Sequence, residues 1–406
     1  MAKKFTETKI PSNGSNRVSL VKEFLNTNYD IKINIFDNTK VMIASKSREY
    51  DQEISIEDIS LHMLEEGITG ADSILKKILT SPNQTVPYNP IKEYFQSLEG
   101  TYGGESHIDL LCTFLKARDF GDKEEENYYQ KRLVYTFRKW LVATVACAMG
   151  EKANDAMFVV VNSDTGIGKS GLLEYLVPDL LKSYYTKSVK DMSYPDMFTT
   201  NLLIQFDEMV GLTRSTAEEF KNILSSLYIN VSKRFTSTKQ RYASACGTTN
   251  KDAEHGGFIH PDMSLRRFAV NHIDEIDWEG YTKVIDVDQI WAEAYMLLSQ
   301  NFEYTWNKKD FTEFEDYNSR FLIQTSSFRI LKEWYRAPEP GEEDMAEFKQ
   351  PVEILRDLKK ARKVNASMTS ITDVNIGIAL RQLMFVRYAK KVKGQSRYGY
   401  DVIPLF

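Results

Sequence analysis

The stretch from Ala156 to Leu176, AMFVVVNSDTGIGKSGLLEYL, restricts what this 406-residue chain can fold into more than any other. Met157 to Val161 is an unbroken, β-branched apolar run, the pattern of a strand buried on both faces. Leu172, Leu173 and Leu176 then recur at helical spacing behind Lys169. The polar, glycine-bearing turn between them reads as a phosphate-binding loop, in which backbone N–H groups meet a polyphosphate, a lysine reaches its outer phosphates and a hydroxyl holds Mg²⁺. Ser163, Asp164, Thr165, Gly166, Ile167, Gly168, Lys169 and Ser170 are the expected nucleotide-binding residues, with Ser170 as a metal ligand. The pattern G-x-x-x-x-G-K-[ST] is met at every place but the first, where Ser163 stands for glycine.

A second apolar run, Leu202 to Phe206, ends in Asp207 and Glu208, 38 residues beyond Lys169. Tandem acids at a strand end suit a nucleoside-triphosphate hydrolase: Asp207 would support Mg²⁺ and Glu208 would polarise the attacking water. A third strand, Tyr242 to Thr249, carries Asn250 at its tip, a candidate for placing that water. Arg266 and Arg267 stand at the mouth of a further strand, where an arginine could meet a γ-phosphate in cis or from a neighbouring subunit. Lys169, Asp207, Glu208, Asn250, Arg266 and Arg267 form the expected catalytic set, acting on ATP with Mg²⁺.

The rest of the chain frames this unit. Residues 1–16 read as a polar disordered leader, 17–86 as a small α+β domain, 87–130 as a helical connector and 131–305 as the ATPase domain. Residues 306–344 read as a helical segment and linker, and 345–406 as a basic domain. Its two helices followed by two β-like runs about a Gly-containing turn suggest a winged helix. The net charge is −5, yet Arg356 to Arg397 holds eleven basic residues against two acids. That concentration points to DNA. Lys390, Lys391, Lys393 and Arg397 are its candidate contacts, and Lys233, Arg234, Lys239 and Arg241 form a second basic stretch read as a phosphate-facing loop. Three scattered cysteines argue against disulfides and against a Cys-x-x-Cys metal site, and His255 and His260 lack zinc spacing. No apolar run reaches the roughly 20 residues of a membrane span, and no signal peptide is visible; a cytoplasmic protein without a membrane partner is expected.

The order of these parts resembles the virulence-associated E (VapE) family of phage and mobile-island proteins. The likeness is carried by YNPIKEYFQSL, RKWLVATVACAMG, NSDTGIGKSGLLEYLVP, NLLIQFDEM, EEFKNILSS with Lys221, the SKRF stretch, CGTTN and DMSLRRF. The family's ATPase core is similar to superfamily 3 helicases and the wider AAA+ group. The resemblance implies an α/β fold with a central parallel-sheet ATPase domain, and an ATP-driven, helicase-like motor in replication of a mobile element. It also implies a homo-oligomeric ring, with six subunits as the candidate number, in which an arginine of one subunit meets the next subunit's nucleotide. Lys169, Ser170, Asp207, Glu208, Asn250 and the Arg266–Arg267 pair carry over to matching positions. With no primase zinc motif or polymerase signature here, priming would come from another chain. Two alternatives use the same residues: an ATP-gated DNA-binding assembly factor that unwinds nothing, and a small-molecule kinase, which the tandem acids and distal arginines disfavour.

Overall fold

Three fully buried strands set the architecture. In the computed structural model, which describes residues 14–36, 41–45, 52–53, 55–81, 84, 86–188, 193–209, 212, 216–232, 236–260, 263–339, 341–364, 371–383, 385–392 and 394–405, every residue of MFVVV, LIQF and SACGTT is buried. Strands with no polar face must be covered on both sides, so the chain lays helices over each face of the sheet they form. The described chain divides into two units, Met1–Tyr102 with Pro178–Tyr184, and Gly103–Val177 with Tyr185–Phe406.

The first unit contains α1 (Gly14–Asn28), β1 (Tyr29–Asn34), β2 (Val41–Ser45), β3 (Gln52–Glu53), α2 (Ile56–Glu65), α3 (Asp72–Leu79), β4 (Val86–Tyr88) and α4 (Pro90–Ser97). Its strands order as β3-β2-β1-β4. Val21, Leu25, Ile59, Leu75 and Leu79 are the centre of its core. This unit of helices and one sheet runs past the expected boundary at 86 to take in α4, and it includes residues 178–184, whose Tyr184 hydroxyl accepts a 2.6 Å hydrogen bond from Asn34. Most of the expected leader lies outside the described residues, and 14–16 already belong to α1.

The second unit begins with α5 (His107–Thr113), β5 (Leu115–Ala117), α6 (Tyr128–Met149), β6 (Met157–Val161), α7 (Lys169–Tyr175), β7 (Tyr185–Lys187), α8 (Tyr194–Thr200), β8 (Leu203–Phe206) and α9 (Ala217–Ser225). It continues through β9 (Tyr228–Ser232), β10 (Thr236–Gln240), β11 (Ser244–Thr249), β12 (Phe268–Ile276), α10 (Trp278–Val284), α11 (Val287–Ser299) and α12 (Lys308–Asn318). The sheet order is β5-β12-β6-β11-β8-β7. All its pairings are parallel except that of β5 with β12, so the expected all-parallel sheet has an antiparallel edge. On one face Phe137 and Trp140 of α6 lie against Phe158, with ring centroids 5.2 and 5.4 Å away. On the other, Phe220 of α9 meets Phe206 at 5.4 Å. Of the basic stretch read as a loop, Lys239 lies on β10, which pairs antiparallel with β9, whose Ile229 is buried in this second core.

The helical segment read as a link to the last domain is part of the core. Tyr317 of α12 is buried there with Phe321, and two ion pairs fasten the helix to α6. Lys139 meets Asp310 at 2.8 Å with 1% and 6% of their side chains exposed, and Arg132 meets Glu313 at 2.5 Å. Burial alone would raise the Asp310 carboxyl, but hydrogen bonds from Lys139, the Asn307 backbone and Tyr135 outweigh it and hold its pKa low. A depressed carboxyl adds stability above the usual aspartate range, and that stability is lost as pH falls through the folded-state value.

The chain ends in α13 (Ser326–Trp334), β13 (Tyr335–Arg336), β14 (Glu347–Lys349), α14 (Pro351–Lys360), α15 (Asp373–Gln382), β15 (Arg387–Val392) and β16 (Gln395–Pro404). Strand β16 pairs with β13, β14 and β15, and the helices close over Tyr400 and Val402. Lys139→Met strands a buried carboxylate, so urea unfolding of this variant should show a loss of about 3–5 kcal/mol, largely recovered in Lys139→Met/Asp310→Leu; an unchanged midpoint in the single variant would contradict a stabilising buried pair.

Candidate functional site

Because β6, β8 and β11 run parallel in register, their C-terminal ends share one edge of the sheet: Thr249 pairs with Val161, and Gly247 with Phe206. The residues just beyond those ends are the ones singled out from the sequence. After β6 the chain turns through Gly166 (φ 80°) and Gly168 (φ 97°), a left-handed path that glycine adopts without strain. Ser163 is not among the positive-φ residues, so this turn needs no glycine there. Asn162 secures the entry: its Oδ1 accepts from the Asp164 N–H at 2.7 Å, and its Nδ2 donates to the Ile273 carbonyl at 2.8 Å.

Lys169, at the start of α7, is buried, and its ammonium donates to the carbonyls of Asn162 (2.9 Å) and Asp164 (2.6 Å). Burial pulls its pKa down, opposed by Glu208, Asp164 and Asp207. The Ser170 hydroxyl donates to Asp207 Oδ1 at 2.5 Å, and the Thr248 hydroxyl donates to the same oxygen at 2.6 Å. Burial tends to raise the Asp207 carboxyl, but these hydrogen bonds outweigh it, so the group ionises below the usual aspartate range. Glu208 adopts the left-handed region (φ 49°, ψ 26°), leaving its side chain exposed. Its backbone N–H donates to Thr248 Oγ1 at 3.3 Å, and its carboxylate accepts from the Asn250 N–H at 3.2 Å. Asn250 Oδ1 is buried with no partner among the described residues. Such an orphan acceptor calls for a further donor.

These contacts put a hydroxyl and an anionic carboxylate in mutual contact, which is the oxygen donor pair that Mg²⁺ takes. The residues fit that ion, and the glycine turn with its lysine fits a polyphosphate. Beside the turn lies a cavity of about 1230 Å³, reached by Gly166 and Ile167 and walled by Phe114, Arg138, Ile276 and Trp278. Nothing in the motif spacing pointed to these wall residues, since only the sheet order brings β5 and the end of β12 beside the turn. Thr248 was also missed; the available signal was its place in CGTTN, at the end of a strand adjacent to the acidic one.

Other expected residues are elsewhere. Arg266 and Arg267 precede β12, whose Phe268 pairs with Met157 and His272 with Val161. They therefore stand at the opposite edge of the sheet: Arg267 lies level with Ala156, six residues short of Asn162, or roughly 20 Å at about 3.3 Å per strand residue. A cis contact with a nucleotide in this turn is excluded by that register. Arg267 is engaged by Asp155 at 3.1 Å and Ser225 at 2.7 Å, whereas Arg266 is half exposed. Arg241 is corrected: it is fully buried, and its guanidinium donates to the carbonyls of Ala243, Ile223, Leu224 and Asn154, so it is a core residue with no face for DNA. Lys239 is exposed on β10, while Lys233 and Arg234 lie outside the described residues. On the C-terminal hairpin Lys390 and Lys391 are exposed, Lys390 directly opposite Arg397, and Lys393 lies outside the described residues. His255 is held by Asp252 at 2.7 Å in a turn.

A family model for the virulence-associated protein E-like domain matches residues 104–322, more than half of the chain. This chain belongs to that family. The VapE-like match begins just before α5 and ends just past α12, so it contains the whole site and the helix fastened to α6. No curated protein matches the chain. Two solved structures, described as the A form apo structure of the NrS-1 C-terminal region and of its residues 305–718, are each 13% identical, with TM-scores of 0.40 and 0.41. Each alignment covers 96% of this chain and 99% of the other. Among the described residues of this VapE-like protein no helix is long and apolar enough to cross a membrane.

Removing the Thr248 hydroxyl deprives the Asp207 anion of one donor. Thr248→Val should therefore move the Asp207 carboxyl titration, followed by carboxyl NMR, upward toward the ordinary aspartate value; an unmoved titration would contradict the hydrogen-bonded picture.

Proposed function

We propose that this VapE-like protein is an ATP-hydrolysing, DNA-binding motor of helicase type that serves replication of a phage or mobile element. The observation that carries the reading is the meeting of Ser170, Asp207 and Thr248 beside Lys169 and the glycine turn. In it, turn N–H groups and Lys169 bind the triphosphate, and the nucleoside occupies the cavity walled by Phe114, Ile276 and Trp278. Ser170 and Asp207 hold Mg²⁺, which when bound neutralises charge on the phosphates. Lys169 exchanges its two carbonyl acceptors for phosphate oxygens, which favours its charged form. Glu208, exposed beyond the strand end, accepts a proton from the attacking water, and the Asn250 amide orients that water.

Arg266 is the arginine available to a neighbouring subunit's nucleotide, because Arg267 is consumed within its own chain. This favours a ring in which each nucleotide lies between two subunits. DNA contact is assigned to the β9–β10 pair with Lys239 and to the C-terminal domain, whose α14 and α15 followed by β15 and β16 support the winged-helix reading. The cross-strand placement of Lys390 opposite Arg397 supports this, since like charges in register repel unless an anion lies over them.

The reading predicts DNA-stimulated ATP hydrolysis by the full chain that Lys169→Ala lowers to background in a phosphate-release assay. Full turnover by Lys169→Ala would refute the site assignment.

A further inference from the structure

The segment that carries Arg266 is held unusually firmly for a surface turn. Buried Asn318, the last residue of α12, donates from Nδ2 to the Leu265 carbonyl at 2.8 Å and to the Phe268 carbonyl at 2.6 Å, bracketing the arginine pair. Arg267 is locked to Asp155 and Ser225. The α12 helix is in turn fastened to α6 by Lys139–Asp310 and Arg132–Glu313, and Arg132 also donates to the Val270 carbonyl of β12 at 2.6 Å. The backbone below Arg266 is thus fixed on both sides, and only its side chain is left to be directed.

Two residues of the same helix, four positions apart on one face, direct it. Arg266 Nε meets Glu315 Oε1 at 3.1 Å, and the guanidinium carbon lies 5.7 Å from the centroid of the Phe311 ring. The carboxylate meets the Nε side and the ring lies beside the guanidinium, so among the described residues no ion pair engages the terminal Nη groups. With both partners 54% exposed, the ion pair is worth little as a stabiliser of the fold. Its geometric effect is larger, because a free arginine side chain would lose substantial rotamer entropy on meeting a phosphate.

We infer that Glu315 and Phe311 are positioning residues for Arg266, presenting its terminal nitrogens to the nucleotide of an adjoining copy of this chain. The inference rests on the ATPase reading above. Glu315 touches no substrate in this scheme; it acts through Arg266 by removing orientations that cannot reach the neighbour.

The test is steady-state DNA-stimulated ATP turnover by the full chain carrying Glu315→Gln, Glu315→Asp, Phe311→Ala, Arg266→Ala or Arg266→Ala with Glu315→Gln. Arg266→Ala should lower kcat by about 10³-fold or more. Glu315→Gln should lower kcat roughly tenfold with KM for ATP within about twofold, leave the thermal midpoint in place, and be partly rescued in Glu315→Asp. Phe311→Ala should lower kcat in the same direction. In the Arg266→Ala background Glu315→Gln should add nothing. Wild-type kcat in Arg266→Ala would refute the trans-arginine reading itself. A normal Arg266 requirement combined with wild-type kcat in Glu315→Gln, or with a full Glu315 penalty persisting in Arg266→Ala, would overturn the positioning role alone.

Discussion

The carboxylate of Asp207 sits where a dry sheet meets solvent, and the candidate site depends on keeping it charged there. Two hydroxyls, from the first turn of α7 and from β11, donate to one of its oxygens and outweigh the cost of burial. Three chain segments far apart in sequence are thereby tied at one point. The parallel register of β6, β11 and β8 makes this possible, because it brings their three C-terminal ends to a single edge. The turn, the acidic pair and Asn250 then need only be the next residues along.

The same register separates the arginines from that edge. A strand that begins beside Met157 cannot bring the residues before it to the phosphate turn. In the proposed scheme their partner is therefore the nucleotide of a neighbouring copy. The α12 helix ties the arginine turn to α6. Its buried ion pairs fasten it to α6, and its terminal Asn318 fixes the turn that carries Arg266. The family match extends through this helix, which supports treating it as part of the core.

What could be read in advance followed from local physics. The apolar runs of β6 and β8, the glycine turn and the tandem acids each have a pattern that a short window contains. Long-range arrangement has none. Thr248 became visible only when β11 was placed beside β8, and the cavity wall at Phe114 and Trp278 only when β5 closed the far edge of the sheet. Arg241 shows the opposite hazard: a basic residue in a basic stretch reads as solvent-facing, yet four backbone carbonyls draw it wholly inside. The β9–β10 pair reads as a loop from sequence because its apolar alternation is brief and flanked by charge.

The central claim, that Ser170 and Asp207 form the metal-bearing part of a nucleotide site, is tested most directly by calorimetric titration of ATP into the full chain with and without Mg²⁺. The account predicts that Mg²⁺ tightens ATP binding to the wild type and that Asp207→Asn removes most of this gain while leaving the metal-free affinity similar. An equal Mg²⁺ gain in Asp207→Asn, or no ATP binding by the wild type under either condition, would contradict it.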